Sequence, residues 1–227
     1  MTATIPSIKG ETVERAGSIN CLFLDIGGVL LTDGWDRRAR KRAALHFKLA
    51  RTEFENRHQL AWNTYQLGKF TLDEYLSRSV FHEPRPFTRA QFRQFMFAQS
   101  KPHSAMIELV AQLKARHKLK IAVLSNEGRE LNVYRIRKFE LNGFVDFFIS
   151  SCFVHLLKPD TDIFQLALDV AQVPARKVLY IENTPMFTEI AENMGIRSIL
   201  HADYESTRAK LASLGLRTGK GGTGAIG

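Results

Sequence analysis

The sequence is poor in cysteine and has no long hydrophobic run. Cys21 and Cys152 are its only cysteines in 227 residues. Both lie in apolar, strand-like stretches without metal-ligand spacing, so neither a disulfide framework nor a zinc module organises the chain. They read as reduced core thiols in a reducing cytoplasm. Met1 to Gly17 lack the apolar h-region of a signal peptide, and no stretch approaches the ~20 apolar residues of a membrane span. A cytoplasmic protein with no membrane association is expected. Internal repeats, hairpin signals and helix-turn-helix, RNP or zinc-finger signatures are all missing. The glycine-rich Gly219-Lys220-Gly221-Gly222-Thr223-Gly224 is not a phosphate loop, because no strand precedes it and no helix follows.

The chain does carry positive charge, a formal +9, alongside an ordinary hydrophobic fraction of 44%. Such a balance favours anionic partners, either nucleic acid or a small phosphorylated metabolite. The densest basic run, Arg37-Arg38-Ala39-Arg40-Lys41-Arg42, opens a helical pattern whose apolar side is Ala43, Ala44, Phe47 and Leu49. It reads as a solvated helix face, and no nucleic-acid partner is expected.

The organising stretch is Cys21-Leu22-Phe23-Leu24-Asp25-Ile26-Gly27-Gly28-Val29-Leu30. Four apolar residues in a row predict a strand buried on both faces, as in a parallel sheet, ended by a carboxylate and two glycines. Residues 35–100 then read as helical, with candidate helices over 36–50, 52–67, 71–80 and 88–98. Their amphipathic spacing, as in Phe54, His58, Ala61, Trp62 and Tyr65, suits a small bundle. Beyond Pro102, helix alternates with strand: strands near 119–124, 145–150, 177–181 and 196–200 are separated by helices over 104–116, 129–139, 162–172 and 186–194, and helix 204–214 closes the series. This grammar predicts an α/β fold, a parallel sheet with helices on both faces. The expected core spans 19–34 and 101–215, the helical insert 35–100, and flexible termini 1–18 and 216–227.

Four polar clusters each follow a strand, and ligands in such sheets bind beyond the carboxyl ends of the strands. They are Asp25, Ser125-Asn126, Lys158 and Glu182-Asn183. Taken singly, each has an ordinary structural explanation as a turn, a helix cap or a solvated loop lysine. Together they fit attack of a carboxylate on a phosphate monoester, in which repulsion between two anions must be offset. Asp25 would attack. Ser125 and the Asn126 backbone would donate hydrogen bonds, and Lys158 would neutralise charge. Glu182 and Asn183 would face Asp25 across an oxygen-ligand Mg2+ site.

At these residues the chain resembles the haloacid dehalogenase-like (HAD) hydrolases, most of which are phosphatases, over about residues 19–215. Leu24-Asp25-Ile26-Gly27-Gly28-Val29-Leu30 resembles the first motif, whose aspartate becomes phosphorylated. Leu124-Ser125-Asn126 resembles the second, Lys158-Pro159-Asp160 the third, and Tyr180-Ile181-Glu182-Asn183 stands in place of the fourth. The resemblance implies a Rossmannoid core with an inserted helical C1 cap over 35–100 that closes on the site and selects the leaving group. It also implies a catalytic pair Asp25 and Lys158, substrate binding by Ser125, Asn126 and Lys158, and metal ligation by Asp25, the Gly27 carbonyl, Glu182 and Asn183. The expected enzyme is a Mg2+-dependent phosphatase of a small phosphorylated metabolite, monomeric or homodimeric.

Two departures from the family pattern shape the alternative. Gly27 stands where the family's phosphatases carry an acid–base aspartate, so leaving-group protonation falls to water, another side chain or a substrate with a good leaving group. Asn183 replaces a charged ligand with a neutral amide. A weak or inactive homologue that binds a phosphorylated ligand or partner is the other reading. Dehalogenation is disfavoured, because the tyrosine and threonine usual around that nucleophile are absent. In the cap, Trp35, Arg37, Arg38 and Tyr65 are the residues expected to reach a polar ligand.

Overall fold

The computed structural model describes residues 18–219. Cys21–Leu24 forms β1, fully buried on both faces as its unbroken apolar run predicts. It pairs in parallel with β2 (Lys120–Ser125) on one side and β4 (Val178–Glu182) on the other. With β3 (Phe147–Ser150) and β5 (Arg197–Leu200) outside these, the order is β3-β2-β1-β4-β5, parallel throughout. Leu22, Leu24, Ile121, Val123, Leu179 and Ile181 pack on one face, against Met106, Leu109, Val110 and Leu113 of α5 (Ser104–His117). Cys21, Phe23, Ala122, Leu124 and Tyr180 pack on the other, against Ile163, Phe164 and Ala167 of α8 (Thr161–Ala171). Both cysteines are free and buried, and burial pushes each thiol up to about 12. Most of the expected flexible termini lies outside the described residues.

Between β1 and α5 the chain forms four helices: α1 (Arg37–His46), α2 (Arg51–Gln66), α3 (Leu72–Ser79) and α4 (Arg89–Ala98). They enclose a core of their own, with Trp35, Phe54, Tyr75, Leu76 and Phe92 buried together. Asp36 caps α1 by accepting from the Ala39 N–H at 2.6 Å, and Thr71 with Glu74 forms a reciprocal capping box on α3. The expected helix over 36–50 stops at His46. Lys48 turns left-handed at φ 53°, and the Leu49 N–H returns to the Ala44 carbonyl at 2.9 Å. That closure satisfies a terminal carbonyl and turns Leu49 into the bundle. A one-turn helix not expected from the sequence, α7 (Ser151–Val154), follows β3 directly.

The bundle is fastened to the sheet at the end of α2. Gly128 precedes α6 (Arg129–Lys138), and a Cβ there would meet the Tyr65 ring at 1.9 Å. Gln66 donates to the Asn126 carbonyl (3.2 Å), and the Ser151 hydroxyl donates to the Gln66 carbonyl (2.7 Å). Phe97 stacks on Tyr134 of α6 with centroids 4.7 Å apart.

Inside the bundle, Trp35 Nε1 donates to the Tyr75 hydroxyl and that hydroxyl to His58 Nδ1, each at 2.9 Å. Burial, reinforced by nearby Arg40, depresses the His58 pKa to about 3, so the ring stays neutral and accepts this bond. A depressed folded-state pKa stabilises the fold fully above the ordinary histidine value near 6.5. That contribution drains away as pH falls toward about 3, because the unfolded chain then binds the extra proton. Urea denaturation between pH 7 and 4 is therefore expected to show a decline in stability of up to about 1.4 kcal/mol per pH unit from this residue. His58→Gln should flatten that decline; an unaltered slope would show that the ring is not its source.

Candidate functional site

Asp25 follows β1 directly, its N–H bonded to the Ile181 carbonyl at 3.1 Å. The chain then coils tightly, with the N–H groups of Leu30 and Leu31 both returning to the Ile26 carbonyl (3.1 and 2.9 Å). Gly28 has φ +74°, and a Cβ there would lie 2.0 Å from the Asn183 amide nitrogen. Glycine at 28 thus lets the first and last of the four clusters touch.

The four strand ends converge on one cleft of about 350 Å3, with Asp25, Gly27, Ser125, Asn126, Lys158 and Asn183 in its walls. Lys158 Nζ is the hub. It lies 3.2 Å from Asp25 Oδ1, 3.2 Å from the Leu124 carbonyl, 3.0 Å from the Tyr180 hydroxyl and 2.6 Å from Glu182 Oε2. The Asn126 side chain clamps the Lys158 backbone on both sides, accepting from its N–H (2.9 Å) and donating to its carbonyl (2.8 Å). That clamp leaves the Asn126 backbone, rather than its amide, to serve the cleft. The Ser125 hydroxyl hydrogen-bonds to the Asp25 and Glu127 carboxyl groups.

Burial dominates the electrostatics. It raises the Asp25 pKa to about 7, an effect that Lys158 opposes and the Glu182 charge reinforces. Burial works against the Lys158 ammonium too, but Asp25 and Glu182 together outweigh it and hold the lysine above its usual range. Tyr180, wedged between Lys158 and Glu182, is pushed well up by burial and both carboxylates and remains a phenol.

Glu182 departs from its expected place at the metal. It is fully buried, one oxygen accepting from the Asn183 and Thr184 N–H groups (2.9 Å each) and the other from Lys158 and Tyr180. The backbone turn after β4 folds the carboxylate onto its own following amides, behind Lys158 and off the cleft wall. The expected cap residues are also revised. Trp35 lines the cleft, but Arg37 and Arg38 lie exposed on α1, and Tyr65 is buried against Gly128. Arg40, on another face of α1, reaches the cleft instead; it donates to the Trp35 carbonyl at 2.7 Å and pairs with Glu55 at 2.9 Å.

Sequence reasoning missed three further residues in the cleft wall. Asp33 ends the loop after Asp25, and partial burial with the adjacent Asp36 charge raises its pKa. Arg135 on α6 is buried between the Glu127 carboxylate and the Thr32 carbonyl. Glu127 and Asp33 had a signal in the sequence, an acid just past a strand or its loop; Arg135, mid-helix, had none. A larger cavity of about 620 Å3 lies between α1 and α4, but it is walled by Phe47, Phe87 and Phe95 and holds no carboxylate.

Among the described residues no three His, Cys, Asp or Glu side chains converge to hold a metal. A hard cation would instead find the oxygens of Asp25, the Gly27 carbonyl and the Asn183 amide. In one orientation that amide turns its nitrogen to the Gly27 carbonyl (3.3 Å) and Glu182 Oε1 (2.8 Å). A half-turn presents its oxygen beside the Gly27 carbonyl, where it would serve as a ligand to a divalent cation. An all-oxygen set of this kind fits Mg2+, which takes few protein ligands and keeps several waters.

Known proteins share this architecture. Residues 19–197 match the family model of haloacid dehalogenase-like hydrolases. A HAD family enzyme from Bacteroides thetaiotaomicron superposes with a TM-score of 0.71 at 19% identity, covering 84% of this chain and 98% of its own. The same enzyme in complex with magnesium and inorganic phosphate gives 0.68 at 19%, covering 84% and 99%. L-2-haloacid dehalogenase from Xanthobacter autotrophicus, with chloropropionic acid covalently bound, gives 0.57 at 17%, covering 86% and 83%. Bifunctional epoxide hydrolase 2 of Rattus norvegicus is 27% identical over 123 residues, 53% of this chain but only 22% of that protein's length.

Removing one member of a buried ion pair strands the other. Arg135→Met is expected to destabilise the fold by about 3–5 kcal/mol, because Glu127 stays buried without its cation. Urea denaturation of the two proteins measures this, and a loss below about 1 kcal/mol would mean that Glu127 reaches other partners.

Proposed function

The chain belongs to the haloacid dehalogenase-like hydrolases, and from that membership we propose that it is a Mg2+-dependent phosphatase acting on a small phosphorylated metabolite in the cytoplasm. The observation that carries this reading is Lys158 Nζ held between Asp25 and Glu182 in the wall of a small cleft. A lysine there neutralises the carboxylate that must approach an anion, and it stays charged while doing so. The relative crystallised with magnesium and inorganic phosphate supports the same ligand pair here.

Asp25 attacks phosphorus through one carboxylate oxygen, and the bond to the leaving oxygen breaks, leaving an aspartyl phosphate. Lys158, the Ser125 hydroxyl and the Asn126 N–H bind the phosphoryl oxygens. Glu182 and Tyr180 are positioning residues that aim the ammonium. Asp25, the Gly27 carbonyl and Asn183 would hold Mg2+, which when bound screens the repulsion between carboxylate and phosphate. Residues 35–100 act as the cap, and Trp35, Trp62, Gln66 and Arg40 give it the leaving-group side of the cleft. A volume of about 350 Å3 suits a substrate of metabolite size.

Hydrolysis of an aryl phosphate tests the reading, since that leaving group needs little protonation. Turnover is expected only with Mg2+, and Asp25→Asn should lower it by more than about 10³-fold while leaving the fold intact. Activity that survives in the variant would remove Asp25 as nucleophile. Wild-type inactivity at every Mg2+ concentration, with phosphate still bound, would favour the binding-only homologue. Asn183→Asp restores a charged ligand and should lower the half-saturating Mg2+ concentration several-fold; an unmoved value would place the amide away from the metal.

A further inference from the structure

Phosphoryl transfer to Asp25 leaves a problem of protons. The departing oxygen of an alkyl phosphate must be protonated, and the attacking water must later lose a proton. Gly27 offers no side chain for either task. What surrounds the missing side chain is informative. A Cβ built on Gly27 would lie 3.3 Å from Asp33 Oδ1 and 4.0 Å from Asp25 Oδ2. The Asp33 carboxylate and the nucleophile therefore flank the same point, the one from which a side chain at 27 would project.

The loop carrying Asp33 is pinned on both sides. The Thr32 N–H bonds to the Lys101 carbonyl (2.9 Å), the Trp35 N–H to the Asp33 carbonyl (2.9 Å), and Arg135 to the Thr32 carbonyl. While the backbone is held, the Asp33 side chain stays open to the cleft, hydrogen-bonded to the neutral Asn183 amide and under the influence of the Arg135 charge. The other carboxylates of the cleft wall are held by a cation or by a helix end. Asp25 pairs with Lys158, Asp36 caps α1 through the Ala39 N–H, and Glu127 is locked to Arg135.

We propose that Asp33 is the general acid–base of this site, replacing by a long loop the carboxylate that Gly27 lacks. The inference rests on the phosphatase reading above. As Asp25 forms its bond to phosphorus, the ester P–O bond breaks and its electron pair goes to the leaving oxygen, which takes the Asp33 proton and departs as the alcohol. The Asp33 carboxylate then takes a proton from a water whose oxygen attacks the aspartyl phosphate. The bond between phosphorus and the Asp25 oxygen breaks, its pair returns to the carboxylate, and inorganic phosphate leaves.

The test is a series of phosphate monoesters whose leaving groups run from nitrophenol through phenol to a primary alcohol. Wild type, Asp33→Asn and Asp33→Ala are compared at saturating Mg2+, with circular dichroism checking the fold and calorimetry measuring Mg2+ affinity. The expected result is a steeper fall of rate with leaving-group basicity, the alkyl ester losing about 10²–10⁴-fold and the nitrophenyl ester much less. Gly27→Asp placed on Asp33→Ala should recover part of the alkyl activity, which a purely structural role for Asp33 would not allow. An equal loss on every ester, or a loss that tracks weaker Mg2+ binding, overturns the proposal. So does an unchanged slope. Inactivity of the wild type on all the esters, or full activity of Asp25→Asn, would instead sink the phosphatase reading on which this inference stands.

Discussion

One buried ammonium governs the geometry of this protein. Lys158 sits among Asp25, Glu182, Tyr180 and the Leu124 carbonyl, almost fully withdrawn from water. A lysine can stay charged at such a depth only if its partners outweigh the cost of desolvation. Three strands supply them: Asp25 follows β1, Leu124 lies in β2, and Tyr180 and Glu182 end β4. Their parallel pairing and register bring those groups to one edge. The Asn126 clamp on the Lys158 backbone then fixes the height at which the ammonium enters.

This arrangement separates two tasks that a looser site would mix. Glu182 takes no place on the cleft wall; it is consumed by its own following amides and by Lys158. Among the expected metal ligands the charge thus comes from Asp25 with its lysine, while the oxygens of Gly27 and Asn183 are neutral. Glycine at 28 is the condition for that closeness, because any side chain there would occupy the Asn183 amide. The motif spacing is therefore a packing requirement as much as a chemical one.

Much of the fold was legible in the residues themselves. The run Cys21 to Leu24 announced a strand buried on both faces, and the polar groups after later strands announced a shared edge, because side-chain hydrophobicity and strand polarity are local properties. What escaped was set by three-dimensional direction. Glu182 is expected at a metal because Glu182-Asn183 stands where the family's fourth motif carries its acids, yet the turn after β4 sends adjacent side chains to opposite destinations. The basic run Arg37 to Arg42 does not itself say which arginine faces the cleft, and only the packed angle of α1 selects Arg40. Asp33 reads as one more loop acid until the coil after Asp25 closes and brings it beside Gly27. The early end of α1 at His46 likewise depends on Leu49 finding the bundle core, a tertiary demand that helical periodicity does not contain.

The contact between Tyr65 and Gly128 has a reach beyond its two residues. The ring rests where a methyl group would otherwise stand, so the clearance between bundle and sheet is set by an atom that is not there. Gly128 takes no part in the cleft wall. It nonetheless acts as a spacer of fixed thickness between α2 and α6. A single added carbon at this position would have to push the Tyr65 ring, and the end of α2 with it, away from α6.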